Sequence, residues 1–273
     1  MRVISGTNNV HTMLMMYSAV SKGYEINTRG AKCRNVRDMA VVLNAGECPV
    51  TSFKARDLNL NYAKEEWLWY LRADPMDDSI EAHAKMWAKL KQPNGSYYSN
   101  YGQYLFGRGE QGKTQFDYVI NVLSNERDSR RASMMLLKRE HLFEDNSDTV
   151  CTYAINFAII GDCLDMTVLM RSNDVIFGFT NDAFCFWNLY AMVYAVLKDK
   201  YPELVPGQYT HFANSMHVYE RHYDMIHNIL MAHNGDHYKV QVPWPTKEEA
   251  IKLVMTNTEE GEGDYTTWLK TRS

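Results

Sequence analysis

The sequence carries little excess charge of either sign: 29 Lys and Arg against 33 Asp and Glu leave a formal net charge of −4 over 273 residues. That balance excludes a nucleic-acid binder relying on a global positive field, while a local phosphate site stays open. No CxxC pair is present, and the five cysteines (Cys33, Cys48, Cys151, Cys163 and Cys185) are odd in number. Neither a disulfide framework nor a structural zinc site fits that pattern, and no metal is expected. No apolar run approaches the roughly 18 residues that cross a bilayer, and no charged-then-apolar leader opens the sequence. A reduced, soluble, cytoplasmic protein with no membrane partner and no direct nucleic-acid partner is therefore expected.

Internal repeats and low-complexity linkers are also missing. What is present is apolar material for a substantial core, 45% hydrophobic and 12% aromatic, and one domain over 1–273 is expected. Helical spacing marks residues 10–22, 59–71, 79–90 and 114–123, and a long apolar helix covers 182–197. Strand-like runs lie at 32–43, 132–137, 153–160, 164–170, 208–219 and 238–242. Strands and helices mix without regular βαβ alternation, which predicts an α+β fold on a large sheet. The acidic, Gly-bearing stretch TNTEEGEGD opens what is expected to be a mobile tail over 256–273.

One motif competes for the function. Residues 107–114 read GRGEQGKT, a full match to the phosphate-loop pattern GxxxxGK[ST]. A short strand at 104–106 and a following helix would give it the required context, and Asp162 would pose as the magnesium-holding aspartate. The simpler reading is a glycine-rich turn with Thr114 capping a helix. It is favoured because the parallel βαβ alternation of a nucleotide-hydrolysing domain is missing.

A different set of residues carries more chemistry. Glu66 lies in EWLWYL, Trp87 in KMWAK, Tyr101 in SNYG, Arg130 and Arg131 in DSRR, and Cys151 in VCTYAINF. Then come RSNDVIFG, from Arg171 to Gly178, and HVY with His217 and Tyr219. A thiolate adding to C6 of a pyrimidine turns C5 into a nucleophile, which is covalent catalysis and needs an activated cysteine. Arginines hold a phosphate through permanent bidentate charge. A glutamate beside tryptophans can do proton work. His217 and Tyr219, two apart on a strand, face the same way.

In this order these segments resemble the thymidylate synthase family, over roughly residues 28–230. The resemblance implies a large mixed or antiparallel sheet flanked by helices, with one sheet face forming a homodimer interface. It implies Cys151 as nucleophile and Glu66 as the organiser of protons and water. Arg171 and Ser172 hold the nucleotide phosphate, joined by Arg130 and Arg131 from the other subunit and by Arg29, in NTRG, as an N-terminal contact. Asn173 also belongs to the substrate site, and His217 and Tyr219 to the sugar. Asp174, Trp87, Tyr101 and Gly178 face the cosubstrate, 5,10-methylenetetrahydrofolate.

Two departures from the family pattern bear on the reaction. Counting from Gly178, the uracil-reading asparagine should fall at 182, and this sequence has Asp182 there, with Asn181 just before it. An aspartate can accept from the 4-amino group of cytosine and share a proton at N3, helping thiolate addition as well as recognition. With RSND in place of RSCD and with Thr152, this resembles the deoxycytidylate hydroxymethylases of phages and implies dCMP as substrate. A one-residue slip would put Asn181 in the site and restore uracil. The second departure is LKTRS in place of an apolar closing segment, together with Leu90 where the synthases carry a second tryptophan. A wetter site would favour water at the transferred carbon, giving hydroxymethyl, with methyl as the alternative. If 107–114 is only a turn, Lys113→Ala leaves pyrimidine turnover unchanged in a steady-state assay. Loss of turnover would restore the phosphate-loop reading.

Overall fold

In the computed structural model, residues 1–28, 30–142, 148–232 and 235–272 are described. One sheet organises the chain. Its strands are β1 (Arg2–Ile4), β2 (Tyr24–Thr28), β3 (Ala31–Asn44), β5 (Ser133–Met135), β6 (Thr152–Ile160), β7 (Cys163–Met170), β8 (Asn173–Asp174) and β9 (Val205–Tyr219). The main order is β1-β3-β9-β7-β6-β5, with β2 on β3 and β8 on β9. A separate antiparallel pair joins β4 (Thr51–Phe53) to β10 (His237–Lys239).

The sheet is mixed: β7 runs parallel to β9 and β1 to β3, while the other pairs of the main order are antiparallel. The parallel pair is made by one crossover helix, α5 (Gly178–Lys200), so a single βαβ unit sits inside a sheet without regular alternation. The helix is apolar almost all round, which suits a core helix. Its residues from Ala183 to Val193 are all buried. Helices α1 (Asn9–Ser21), α2 (Leu60–Arg72) and α4 (Gln115–Asn125) pack with it over one sheet face.

On that face Leu164, Met166, Val168 and Met170 of β7 are buried, as are Tyr209, His211 and Ala213 of β9. The alternate residues, Thr167 and Leu169 on β7 and Thr210 and Phe212 on β9, are half-buried in the single chain. Strand alternation thus leaves a second, partly apolar face.

Three expectations change. Residues 79–90 form two 3-10 turns, Ser79–Ala82 and Trp87–Lys89, in place of one helix. Ile80 and Trp87 are buried, while part-buried Asp77 pairs with Arg72 and exposed Asp78 with Lys91. Residues 104–106 are not a strand, because α3 (Gly102–Leu105) fits there with Gly102 against the Tyr70 carbonyl, where a Cβ would sit 1.8 Å from that oxygen. The loop 107–114 therefore lacks a leading strand; its Gly109 N–H donates to the Lys113 carbonyl at 3.0 Å, and Thr114 closes a capping box with Asp117. The glycine-rich segment is a turn and helix cap.

The expected mobile tail is instead packed. Helix α7 (Lys247–Thr256) leads to α8 (Asp264–Lys270), which buries Tyr265, Thr266 and Leu269. Trp67 Nε1 donates to Tyr265 Oη at 2.9 Å, and that hydroxyl donates to Asn188 Oδ1 at 2.7 Å. Lys64 Nζ donates to the carbonyls of Trp268 (2.7 Å) and Thr271 (2.9 Å), where cations suit a helix C-terminus. Tyr265→Ala should cost about 3–5 kcal/mol of stability, as large buried aromatics do. Urea denaturation checks this, and a cost below about 1 kcal/mol would return α8 to a loose tail.

Candidate active site

The residues of interest gather where several chain segments meet at one end of the sheet. Thr152 at the start of β6 pairs with Met170 at the end of β7, so Cys151 and Arg171 lie side by side. The Arg171 N–H donates to the Cys151 carbonyl at 2.8 Å. Its guanidinium donates through Nε to the Val150 carbonyl (3.0 Å) and through Nη2 to that of Thr149 (2.5 Å). A permanent cation is thereby fixed beside the half-buried Cys151. Next in sequence, Ser172 Oγ is 3.5 Å from His217 Nδ1.

Short strand β8 sets Asn173 against Met216 and Asp174 against His217 on β9. His217 and Tyr219 share a face as expected, their rings edge-on at 5.0 Å. The Asp174 carboxylate accepts from the backbone N–H groups of Ile176 (3.2 Å) and Phe177 (3.3 Å), shaping the turn into α5. Gly178 begins that helix, where a Cβ would approach Asn173 Oδ1 to 3.0 Å.

Helix α2 supplies Glu66. Tyr62, Glu66 and Tyr70, spaced four apart, stack on one face of the helix. The Tyr70 hydroxyl donates to Glu66 Oε1 at 3.3 Å, and the nearby Tyr62 hydroxyl also favours the charged carboxylate. Trp87 reaches the same group indirectly, its Nε1 donating to Tyr62 Oη at 3.0 Å. Tyr101 is buried between the rings of Tyr70 and Phe186, at 5.5 and 6.0 Å.

Two carboxyls dominate the electrostatics. Burial, reinforced by the negative charge of Asp182, pushes Glu66 from 4.5 up to about 8. Burial likewise pushes half-buried Asp182 up to about 7, against the opposing hydrogen bond from Asn173, and Asp174 adds to the rise. Asp182 lies near the N-terminus of α5, where the helix dipole favours a charged carboxylate; desolvation wins. The side chain of Asn173 is buried, and its Nδ2 donates to Asp182 Oδ2 at 2.7 Å. Glu66 Oε2 is buried with no partner among the described residues, an acceptor left for whatever enters the site.

Not every expected residue joins this cluster. Arg130 and Arg131 are exposed; Arg131 pairs with Glu126 at 3.3 Å, and Arg130 lines a cavity with residues 156–161, toward the far end of β6 from Cys151. One chain does not bring them to Cys151. Arg29 lies outside the described residues. Sequence reasoning passed over Tyr62, Tyr209 and His211. The four-residue spacing around Glu66 and the two-residue spacing before His217 were the available signals.

A family model for thymidylate synthase matches residues 15–259. The chain belongs to the thymidylate synthase family. Among relatives, the deoxycytidylate 5-hydroxymethyltransferase of Enterobacteria phage T4 is 30% identical over 178 residues, covering 62% of this chain and 71% of that protein. The thymidylate synthase of Fusobacterium nucleatum subsp. nucleatum is 29% identical over 160 residues, covering 59% of this chain and 56% of that protein. The chain is thus an enzyme of a family that transfers a one-carbon unit to a pyrimidine nucleotide. No helix among the described residues is long and apolar enough to cross a membrane, and no group of three or more His, Cys, Asp or Glu there is placed to hold a metal ion.

The raised carboxyls have a consequence for pH. Glu66 binds its proton up to about pH 8 when folded but only to 4.5 at its ordinary value. Folding therefore takes up a proton between those limits, and stability falls as pH rises through that window, levelling above it. Each such carboxyl contributes up to about 1.4 kcal/mol per pH unit. Denaturation midpoints taken from pH 5 to 8 should fall less steeply for Glu66→Gln than for the unsubstituted protein. Equal slopes would show that Glu66 ionises normally.

Proposed function

We propose that this enzyme transfers the one-carbon unit of 5,10-methylenetetrahydrofolate to C5 of dCMP and releases 5-hydroxymethyl-dCMP. The observation that carries the reading is Asp182, a buried-edge carboxyl holding a proton near neutral pH at the position where the family pattern has a uracil-reading asparagine. Half-protonated, it can donate to cytosine N3 and accept from the 4-amino group, the reverse of what uracil requires of its partner. Neighbouring residues on a helix point about 100° apart, so Asp182 and Asn181 cannot both face the base. The contacts of Asp182 with Asn173, and its field on Glu66 and Tyr101, favour Asp182. The name of the phage T4 relative supports the same substrate.

Within this reading each residue has a task. Cys151 adds to C6, and the electron pair released toward C5 makes that carbon the nucleophile. Asp182 supplies a proton at N3, neutralising charge that builds on the ring. Arg171 and Ser172 bind the phosphate, and Arg130 and Arg131 join from a second subunit. His217 and Tyr219 meet the sugar. Glu66, with Tyr62 and Tyr70 on it, receives and returns the protons that C5 and water exchange.

The donor set at the mouth suits a folate. The half-buried Asp174 carboxylate can accept from pterin N–H groups, and the exposed Phe177 ring beside it offers an aromatic face. When bound, the folate supplies the carbon at the oxidation level of formaldehyde, and one water then balances the hydroxymethyl product. The homodimer is read from the second sheet face, where Leu169 and Phe212 stay half-buried, and from the distance of Arg130 and Arg131 from Cys151 within one chain.

Mass spectrometry of the product from dCMP and methylenetetrahydrofolate tests the proposal, with a hydroxymethyl adduct expected and turnover of dUMP alone overturning the base assignment. Dihydrofolate appearing with product would mean methylation instead. Cys151→Ser should abolish tritium release from C5 of labelled nucleotide, and retained release would remove Cys151 from the chemistry.

A further inference from the structure

The mechanism above makes no use of His211, although it sits one residue-pair away from the carboxyl that reads the base. Its ring on β9 is fully buried, edge-on to Phe179 at 4.8 Å. Nδ1 lies 2.8 Å from Tyr209 Oη, and Nε2 lies 3.2 Å from Asn173 Nδ2. Asn173 Nδ2 in turn donates to Asp182 Oδ2 at 2.7 Å and lies 2.9 Å from Met170 Sδ. A continuous chain thus runs from Tyr209 through His211 and Asn173 to Asp182.

The orientation of each group follows from hydrogen-bond chemistry. Asn173 Nδ2 faces a carboxylate oxygen, an imidazole nitrogen and a thioether, so the amide nitrogen and not its oxygen belongs there. Its two hydrogens go to Asp182 and His211, which makes Nε2 of the histidine an acceptor. The ring proton then sits on Nδ1 and is donated to Tyr209 Oη. Desolvation pushes the His211 pKa down to about 3, so the ring is neutral and Nε2 keeps its lone pair at working pH. The amide oxygen meanwhile is buried with no partner among the described residues, against the start of α5 at Gly178. An orphaned acceptor costs about 1–3 kcal/mol, and the amide accepts that cost to keep Nδ2 on Asp182.

We infer that His211, oriented by Tyr209, is a positioning residue that fixes the Asn173 amide so that Asp182 Oδ2 is always an acceptor and the proton of Asp182 resides on Oδ1. This rests on the reading of Asp182 as the base-recognising group. With the histidine acceptor gone, the amide can turn over and present its oxygen to Asp182. That arrangement puts the proton on Oδ2 and leaves Oδ1 a bare acceptor toward the ring. The base preference should then slide from cytosine toward uracil, whose N3–H needs an acceptor. Several other titratable groups also act on or are acted on by Asp182: Glu66 and Tyr70 of α2, Tyr101, Asp174, Tyr209 of β9 and Cys185 of its own helix. Their identities are unchanged in three of the four variants that follow, and only Tyr209 changes in the other.

The test compares kcat/KM for dCMP and dUMP, and its pH profile, in His211→Phe, His211→Gln and Tyr209→Phe, with Asp182→Asn alongside. His211→Phe should lose at least about tenfold of the dCMP preference, equal to roughly 1.4 kcal/mol, and move the acid limb of the profile. His211→Gln can still accept from Asn173 through its amide oxygen and should keep most of the preference. Tyr209→Phe frees the ring proton and should fall between them. Wild-type preference and pH profile in both His211→Phe and Tyr209→Phe overturn the inference. If His211→Phe does not fold, an unchanged Tyr209→Phe overturns it alone. A preference unaffected by Asp182→Asn strikes the base reading itself. A preference that moves in Asp182→Asn but in neither His211→Phe nor Tyr209→Phe strikes only the role of His211.

Discussion

Two carboxyls, buried Glu66 and half-buried Asp182, stand without a salt-bridge partner among the described residues, and most of the site's architecture answers that constraint. A buried charge without a counter-ion is expensive, so the groups hold protons to pH values where carboxylates are normally bare. What surrounds them is therefore a set of neutral donors: Tyr62 and Tyr70 on Glu66, and Asn173 on Asp182. Two of these donors are themselves fixed by a further neutral group, Trp87 behind Tyr62 and His211 behind Asn173. A cation at the same place would have locked both carboxyls ionised and removed their capacity to exchange protons.

The sheet makes the juxtaposition possible. Because β7 and β9 are parallel and joined by α5, the end of β7, short β8, the start of α5 and the end of β9 converge at one end of the sheet. The antiparallel partner β6 begins there, which delivers Cys151 beside Arg171. Helix α2 then needs only to lie against α5 to bring Glu66 toward Asp182. The packing of α8 onto α2 through Lys64 and Trp67 stiffens the helix that carries Glu66, so the end of the described chain contributes to the site through packing.

Much of this was legible in advance where chemistry is written in consecutive residues. RSND and HVY named Arg171, Ser172, Asp174, His217 and Tyr219; the structure sets Arg171 beside Cys151, Ser172 and Asp174 against His217, and the ring of Tyr219 against that of His217. Asn173 was expected against the substrate, but its amide is spent on Asp182 and His211, because its place on β8 turns the side chain inward. The turn at 107–114 shows the opposite failure: a motif complete in sequence, without the strand that would give it function, since Gly102 must pack against the Tyr70 carbonyl in a helix.

The sequence by itself determined the residue types, the order of the motifs and the class of chemistry. Covalent addition, phosphate binding and proton transfer each require particular side chains at local spacings. Only the tertiary structure decided which carboxyls keep their protons and which side chains orient them. Desolvation depends on everything packed around a group, and interacting pairs such as Glu66 with the charge of Asp182, or Asn173 hydrogen-bonded to His211, are far apart along the chain. Asp182 was visible as a letter at the expected position. Its raised pKa, and the tyrosine–histidine–asparagine line behind it, exist only once α5 closes over β9.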